Sequence, residues 1–326
     1  FLFKLINLLI TIILMLNFLY CLDSNYDQQF LSSLQSLLDN LNKKINCFVI
    51  HKDPNSLNKI IKEINFEHKN LNNFEIYKFN ENVNNFPNIG NNHISEATYY
   101  RFFIDNYLDK SVESIIYIDC DIICLNSPEN ILEEIVNKTK ESKFTISAST
   151  EYVKSIETEE VFNRLKMKSN IYFNAGVMII DVNKWRKNNT QNFLIELMNS
   201  IYDKVDFWDQ DIMNCFYDGE YLEISKYLNY KDTDLSHNLK IADTRSIIFL
   251  HYAGSNKPWT IPGITTTSAR YFHDSFYKVF NVKYLFTNNY RKQALKDFLK
   301  TIFSLKFLKL SYPISFIKLS LKSLKI

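Results

Sequence analysis

Two carboxylates one residue apart, Asp119 and Asp121, are the densest chemistry in this 326-residue chain. They close an apolar run, Ser114-Ile115-Ile116-Tyr117-Ile118, and Ile122-Ile123 continue it. In extended chain, residues i and i+2 point the same way, roughly 6.6–6.8 Å apart. Carboxylates so placed repel each other and are costly to desolvate, and a divalent cation bridging them to a phosphate removes that cost. By itself the pair fits three readings: a solvated strand end, a phosphatase that forms a phosphoaspartate, and a site for a metal and a nucleotide-sugar. The phosphatase pattern expects Thr or Val two residues beyond the second Asp, where this chain has Ile123.

Four further stretches concentrate polar chemistry. Asp23-Ser24-Asn25-Tyr26 follows an apolar strand pattern, where a base and ribose are read in a doubly wound sheet, or where a turn and helix cap sit. In His93-Ile94-Ser95-Glu96-Ala97-Thr98-Tyr99-Tyr100-Arg101, Ser95 is a natural helix cap, and Arg101 lies within an apolar face and needs an anion. A diphosphate serves, and so does Asp105 four residues on. Tyr172-Phe173-Asn174-Ala175-Gly176 reads as close approach of backbone to a ligand, or as a tight turn. His251-Tyr252-Ala253-Gly254-Ser255-Asn256-Lys257-Pro258-Trp259 offers a metal ligand, an amide and a charge for phosphate, although a lone His is commonly structural.

These residues need a scaffold that brings distant stretches to one edge. Strand patterns (Asn17–Asp23, Ile45–Ile50, Phe74–Phe79, Ser114–Leu125, Phe144–Ser149, Ala175–Asp181, Ile247–Leu250) alternate with helical ones (Tyr26–Lys44, a helix opened by Asp53-Pro54, Ser95–Leu108, Pro128–Val136, a helical region beginning at Trp185, Asp209–Phe216). That alternation predicts an α/β fold with a parallel sheet and helices on both faces. Asn80–Asn92 reads as a loop and Thr150–Asn170 as a polar insertion. Ligands of such sheets bind at the carboxyl ends of the strands.

Composition narrows the class. The chain is 46% hydrophobic and 23% charged, hence globular. Five glycines exclude a glycine-rich phosphate loop, so any phosphate must be held by metal, basic side chains or single amides. The five cysteines are scattered and lack zinc spacing, which reads as buried free thiols in a reducing compartment. From Tyr290 onward nine basic residues face one acid, in a chain of net charge +2. This distribution suggests a surface-binding appendage and no nucleic-acid partner. Residues 290–326 read as basic amphipathic helices, either packed on the domain or lying on an anionic membrane surface. Residues 1–16 are an apolar extension, read as a fragment, an upstream extension or a short anchor.

Taken together with Trp208-Asp209-Gln210-Asp211, these motifs in this order resemble the family 8 glycosyltransferases, over about Asn17 to Trp259. The resemblance implies a GT-A fold for residues 17–289, Rossmann-like and mostly parallel. It implies a UDP-sugar donor (UDP-galactose or UDP-glucose), Mn²⁺ or Mg²⁺, retention of configuration, and a glycan or glycolipid acceptor such as lipopolysaccharide or lipooligosaccharide. With the basic tail, the expected place is the cytoplasmic face of the membrane. Residue by residue, it assigns Asp119, Asp121 and His251 to the metal, and Asp23, Asn25, His93, Gly254 and Lys257 to the nucleotide. Arg101, Asn174, Asp209 and Gln210 fall around the donor sugar as catalytic candidates. Ser24 stands where the family commonly has an acid. A non-catalytic sugar-nucleotide-binding protein is the remaining alternative.

Overall fold

Short β-branched and aromatic runs form the strands of a central sheet in the computed structural model, which describes residues 15–83, 85–89, 95–233, 244–287 and 291–324. The expected extension at 1–16 therefore lies almost wholly outside the described residues, as does His93. In chain order the main elements are β1 (Asn17–Leu22), α1 (Asp27–Asp39), β2 (Ile45–His51), α2 (Pro54–Ile64), β3 (Leu71–Lys78), β4 (Ser114–Ile118), β5 (Ile122–Cys124) and α3 (Glu129–Glu141). There follow β6 (Ile146–Val153), α4 (Glu159–Leu165), β7 (Ile171–Asp181), α5 (Val182–Lys187), α6 (Thr190–Ser200), α7 (Trp208–Tyr217), β8 (Leu222–Glu223), β9 (Tyr230–Lys231), β10 (Phe249–His251), α8 (Ala269–Phe280), α9 (Arg291–Phe303) and α10 (Pro313–Leu324).

Seven strands order as β3-β2-β1-β4-β7-β6-β8, parallel except where β7 runs against β4 and β6. Every residue of β4 is buried, as an unalternating apolar run demands. Two apolar clusters lie on the two faces, one including Leu19, Tyr117 and Trp185, the other Phe18, Leu34 and Ile116. A second sheet, β5-β10-β9, sits at the carboxyl edge of the first.

Two expectations are corrected. The run Ser114–Leu125 is not one strand: it breaks after Ile118, and Asp119-Cys120-Asp121 form a turn closed by the Ile122 amide on the Asp119 carbonyl at 3.3 Å. A continuous ladder would hold like charges in a dry sheet, and the turn brings them to its edge instead. The segment after Ser95 is helical as expected, a 3₁₀ helix over Glu96–Phe103 that passes into an α-helical turn at Ile104–Tyr107. Asn174-Ala175-Gly176 is no turn but the middle of β7, where pairing with β6 skips from Met178 to Asn174. The insertion is also less irregular than its composition suggests, since β6 runs into it and α4 lies within it.

The tail helices pack on the body. Phe298, Phe316 and Leu324 are buried with Ile261, Ile264 and Tyr284. Leu299, Phe303, Leu308 and Ile314 remain exposed, beside exposed Lys300, Lys306 and Lys309. No helix among the described residues is long and apolar enough to cross a membrane.

Candidate active site and metal centre

The strand break positions the acids. Leaving β4, the Asp119 amide donates to the Gly176 carbonyl at 2.9 Å. After the turn, β5 pairs antiparallel with β10 so that Ile122 faces His251, and the Tyr252 amide donates to the Asp121 carbonyl at 3.0 Å. Side-chain ligand atoms of Asp119, Asp121 and His251 consequently lie within 4.8 Å of one another. Among the described residues Asp121 Oδ1 has no hydrogen-bond partner; it is buried and faces His251 Nε2 at 3.4 Å. An orphaned buried carboxylate oxygen beside an imidazole nitrogen is a donor set that Mn²⁺ or Mg²⁺ fits, with phosphate oxygens to complete the shell.

Charge around the acids is tightly arranged. Burial pushes the Asp121 carboxyl up, but Lys257 and His251 outweigh it and hold the group below the usual carboxylate range. The Lys257 ammonium is bonded to Asp121 Oδ2 and donates to the Tyr252 carbonyl at 2.7 Å. Burial lowers the His251 pKa, yet Asp121 prevails and the net shift is upward. Gly176 lets the imidazole in: a Cβ there would stand 2.4 Å from His251 Cε1.

Arg101 is 2% exposed, and it meets neither a free anion nor Asp105, which pairs with Arg186. Its guanidinium donates to Asp119 Oδ1 at 2.9 Å and to the Ala175 carbonyl at 2.6 Å. Its Nε lies 3.1 Å from Asp209 Oδ2, and its plane sits 3.8 Å over the Tyr117 ring. Burial lifts Asp209 to about 6 despite Arg101 and the Thr98 hydroxyl that donates to it. The 3₁₀ period places Ser95, Thr98 and Arg101 in one eclipsed row facing this spot.

An open cleft of about 400 Å³ joins Asp119, Asp121, His251 and Gly254 to Asn174, Asp209 and Gln210. Gly254 adopts φ +84°. Asp23 and Asn25 line neither this cleft nor the smaller adjoining one over Tyr26 and Ser95. Instead Asp23 accepts from the Ser95 hydroxyl at 2.5 Å and the Asn25 amide at 2.8 Å.

Sequence reasoning missed Glu151, Asn229 and Lys231. Glu151 is the unpaired residue of a bulge in β6, which aims its side chain at the site. Its carboxylate accepts from Gln210 Nε2 at 3.0 Å, Asn174 Nδ2 at 2.9 Å and Lys231 at 3.1 Å. The Ala175 amide, freed by the skipped pairing of β7, donates to Gln210 Oε1 at 3.0 Å. Nothing in the sequence marked these residues except that Glu151 falls one place into the polar insertion.

The same architecture is found in the crystal structure of the galactosyltransferase LgtC with donor and acceptor sugar analogues, at TM-score 0.68 and 22% identity over 82% of this chain and 97% of that one. That likeness carries the fold, GT-A. The family model described as Glycosyl transferase family 8 matches residues 17–261, and the chain belongs to that family. A putative glycosyltransferase of Haemophilus influenzae is 28% identical over 75% of this chain and 73% of its own length. The lipopolysaccharide 1,3-galactosyltransferase of Salmonella typhimurium is 26% identical over 50% of this chain and 49% of its own. The lipopolysaccharide 1,2-glucosyltransferase of Escherichia coli K12 is 28% identical over 51% and 49%. Family membership leaves the phosphatase reading without support.

Proposed function

We propose that this glycosyltransferase moves a hexose, galactose or glucose, from a UDP-sugar to a glycan acceptor of the lipopolysaccharide or lipooligosaccharide class, with retention and with Mn²⁺ or Mg²⁺. The observation that carries the reading is one cleft with a three-residue metal-ligand set at one end and a clamped amide, Gln210, at the other. Similarity to the lipopolysaccharide galactosyltransferase of Salmonella and the lipopolysaccharide glucosyltransferase of E. coli supports the choice of sugar and acceptor.

Bound at Asp119, Asp121 and His251, the metal would supply positive charge against the leaving diphosphate. Lys257 already directs an ammonium to that spot and adds a second charge. Arg101 orients Asp119 through the bond to its Oδ1. Gln210 presents its carbonyl oxygen, which the Ala175 amide holds in place, to positive charge developing at the anomeric carbon. An amide is a poor nucleophile, so the acceptor attacks from the leaving-group face and the departing phosphate takes its proton.

Membrane association belongs to the same proposal. Exposed apolar side chains and exposed lysines alternate along residues 299–314, a composition that suits a peripheral protein of the cytoplasmic leaflet.

A screen of UDP-sugars for Mn²⁺-dependent release of UDP tests the reading. UDP-galactose or UDP-glucose is expected to turn over, and Asp121→Asn to abolish it. Binding of these donors without turnover would favour a non-catalytic sugar-nucleotide-binding protein.

A further inference from the structure

Hydrogen-bond logic fixes every amide between the two ends of the cleft. Glu151, 8% exposed and paired with Lys231, is an acceptor only, and the Gly176 amide is a donor only. Asn174 must therefore turn Nδ2 to Glu151 and Oδ1 to Gly176, at 2.9 Å each. That oxygen also receives Asn229 Nδ2 at 2.8 Å. The carbonyl of Asn229 is then left for His251 Nδ1, 2.8 Å away. An acceptor there requires a proton on Nδ1, which leaves the lone pair of the neutral ring on Nε2, the atom facing Asp121. Asn229 is itself 6% exposed, so water does not compete for these bonds.

We propose that Asn229 is a positioning residue that sets the tautomer and orientation of His251, and that Glu151 sets Asn229 through Asn174. The same Glu151 oxygen holds Gln210 Nε2, so one carboxylate aligns the metal end and the sugar end of the cleft. The register of the small sheet gives the relay a rigid base, since Lys231 lies beside His251 in the β9–β10 pair. This inference rests on the metal reading above.

Calorimetric titration of Mn²⁺ into chelator-treated protein, without nucleotide, tests the relay. Asn229→Leu is expected to weaken binding roughly 10–100-fold, the range for losing the partner of a ligating imidazole. Glu151→Gln, which keeps size and touches none of the three ligands, is expected to weaken it several-fold by letting both amides turn over. It also carries the test if Asn229→Leu does not fold. In parallel, ¹⁵N-histidine spectra at alkaline pH, with His251 identified by His251→Gln, are expected to show an Nδ1–H ring in the parent and Nε2–H in Asn229→Leu. Mn²⁺ affinity within twofold of the parent in both variants, or an Nε2–H ring in the parent, overturns the relay. Should the parent bind no Mn²⁺, the metal reading fails, and the tautomer spectra decide the relay by themselves.

Discussion

Lys257 shows how much one side chain carries here. Its ammonium is buried and bonded to Asp121, so Lys257→Met leaves that buried carboxylate with His251 alone to offset its charge. Breaking a buried pair in this way costs about 3–5 kcal/mol. With chelator present, Lys257→Met should melt well below the parent, and saturating Mn²⁺ should raise its midpoint more than it raises the parent's. Equal metal-induced shifts would mean that Lys257 and the metal do not share Asp121. Asp209 gives a pH signature. Its folded pKa of about 6 lies above the ordinary 3.8, so the protonated form is favoured in the folded protein. Its contribution to stability is complete below pH ~4 and lost as pH rises to about 6, roughly 3 kcal/mol in all. Denaturant midpoints between pH 4 and 7 should therefore fall for the parent relative to Asp209→Asn, and parallel curves would exclude the effect. Gly176→Ala drives a methyl into the His251 ring, and should weaken Mn²⁺ binding at least tenfold with a stability loss of about 1–3 kcal/mol. Single residues were legible when a motif held them: Asp119, Asp121, His251, Asn174 and Gln210 meet in one cleft. Glu151 and Asn229 were not, because a lone acid or amide in a polar segment has no spacing to betray it.

Among elements, the 3₁₀ helix over Glu96–Phe103 decides which side chains reach the cleft. With three residues per turn, Thr98 stacks beneath Arg101, and its hydroxyl meets both that guanidinium, at 3.2 Å, and Asp209. Thr98→Val keeps the shape and removes the hydroxyl. It should lower kcat/KM about tenfold, the equivalent of one buried hydrogen bond, with no change in the far-ultraviolet dichroism. An unchanged kcat/KM would make the hydroxyl dispensable. The helix type was hidden in the sequence because apolar and aromatic residues fill nearly every position from Ala97 to Ile104, so no single face marks the period. The break between β4 and β5 was hidden because Ile122 and Ile123 continue the apolar pattern, and what ends the strand is charge at Asp119 and Asp121. β2 and β7 were legible from β-branched runs and β1 from an unbroken apolar one, although β7 begins four residues before the expected Ala175.

For the whole molecule, the body and the tail are one packed unit, with Phe316 and Leu324 in a shared cluster. Both readings of the tail had physical grounds: one helical face is buried, and the other still carries apolar side chains and lysines. A surface variant separates the two roles better than truncation. Reversing Lys300, Lys306 and Lys309 to Glu, with Phe303→Ser, should detach the protein from anionic vesicles, since each basic residue contributes about 1 kcal/mol near such a surface. The thermal midpoint should stay within a few degrees, because these residues are exposed. Vesicle binding equal to the parent's would place the contact elsewhere.

The small sheet β5-β10-β9 also dictates an order of events during synthesis. Its first strand is made early, yet it has no partner until Tyr230–Lys231 and Phe249–His251 have been translated. The large sheet needs nothing beyond Glu223. A nascent chain can thus hold a nearly finished scaffold whose acidic turn has not yet met its imidazole, because contacts so distant in sequence form slowly. Pulse-labelled exchange during refolding should protect the amides of Cys47 and Val49 before those of Ile123 and Leu250.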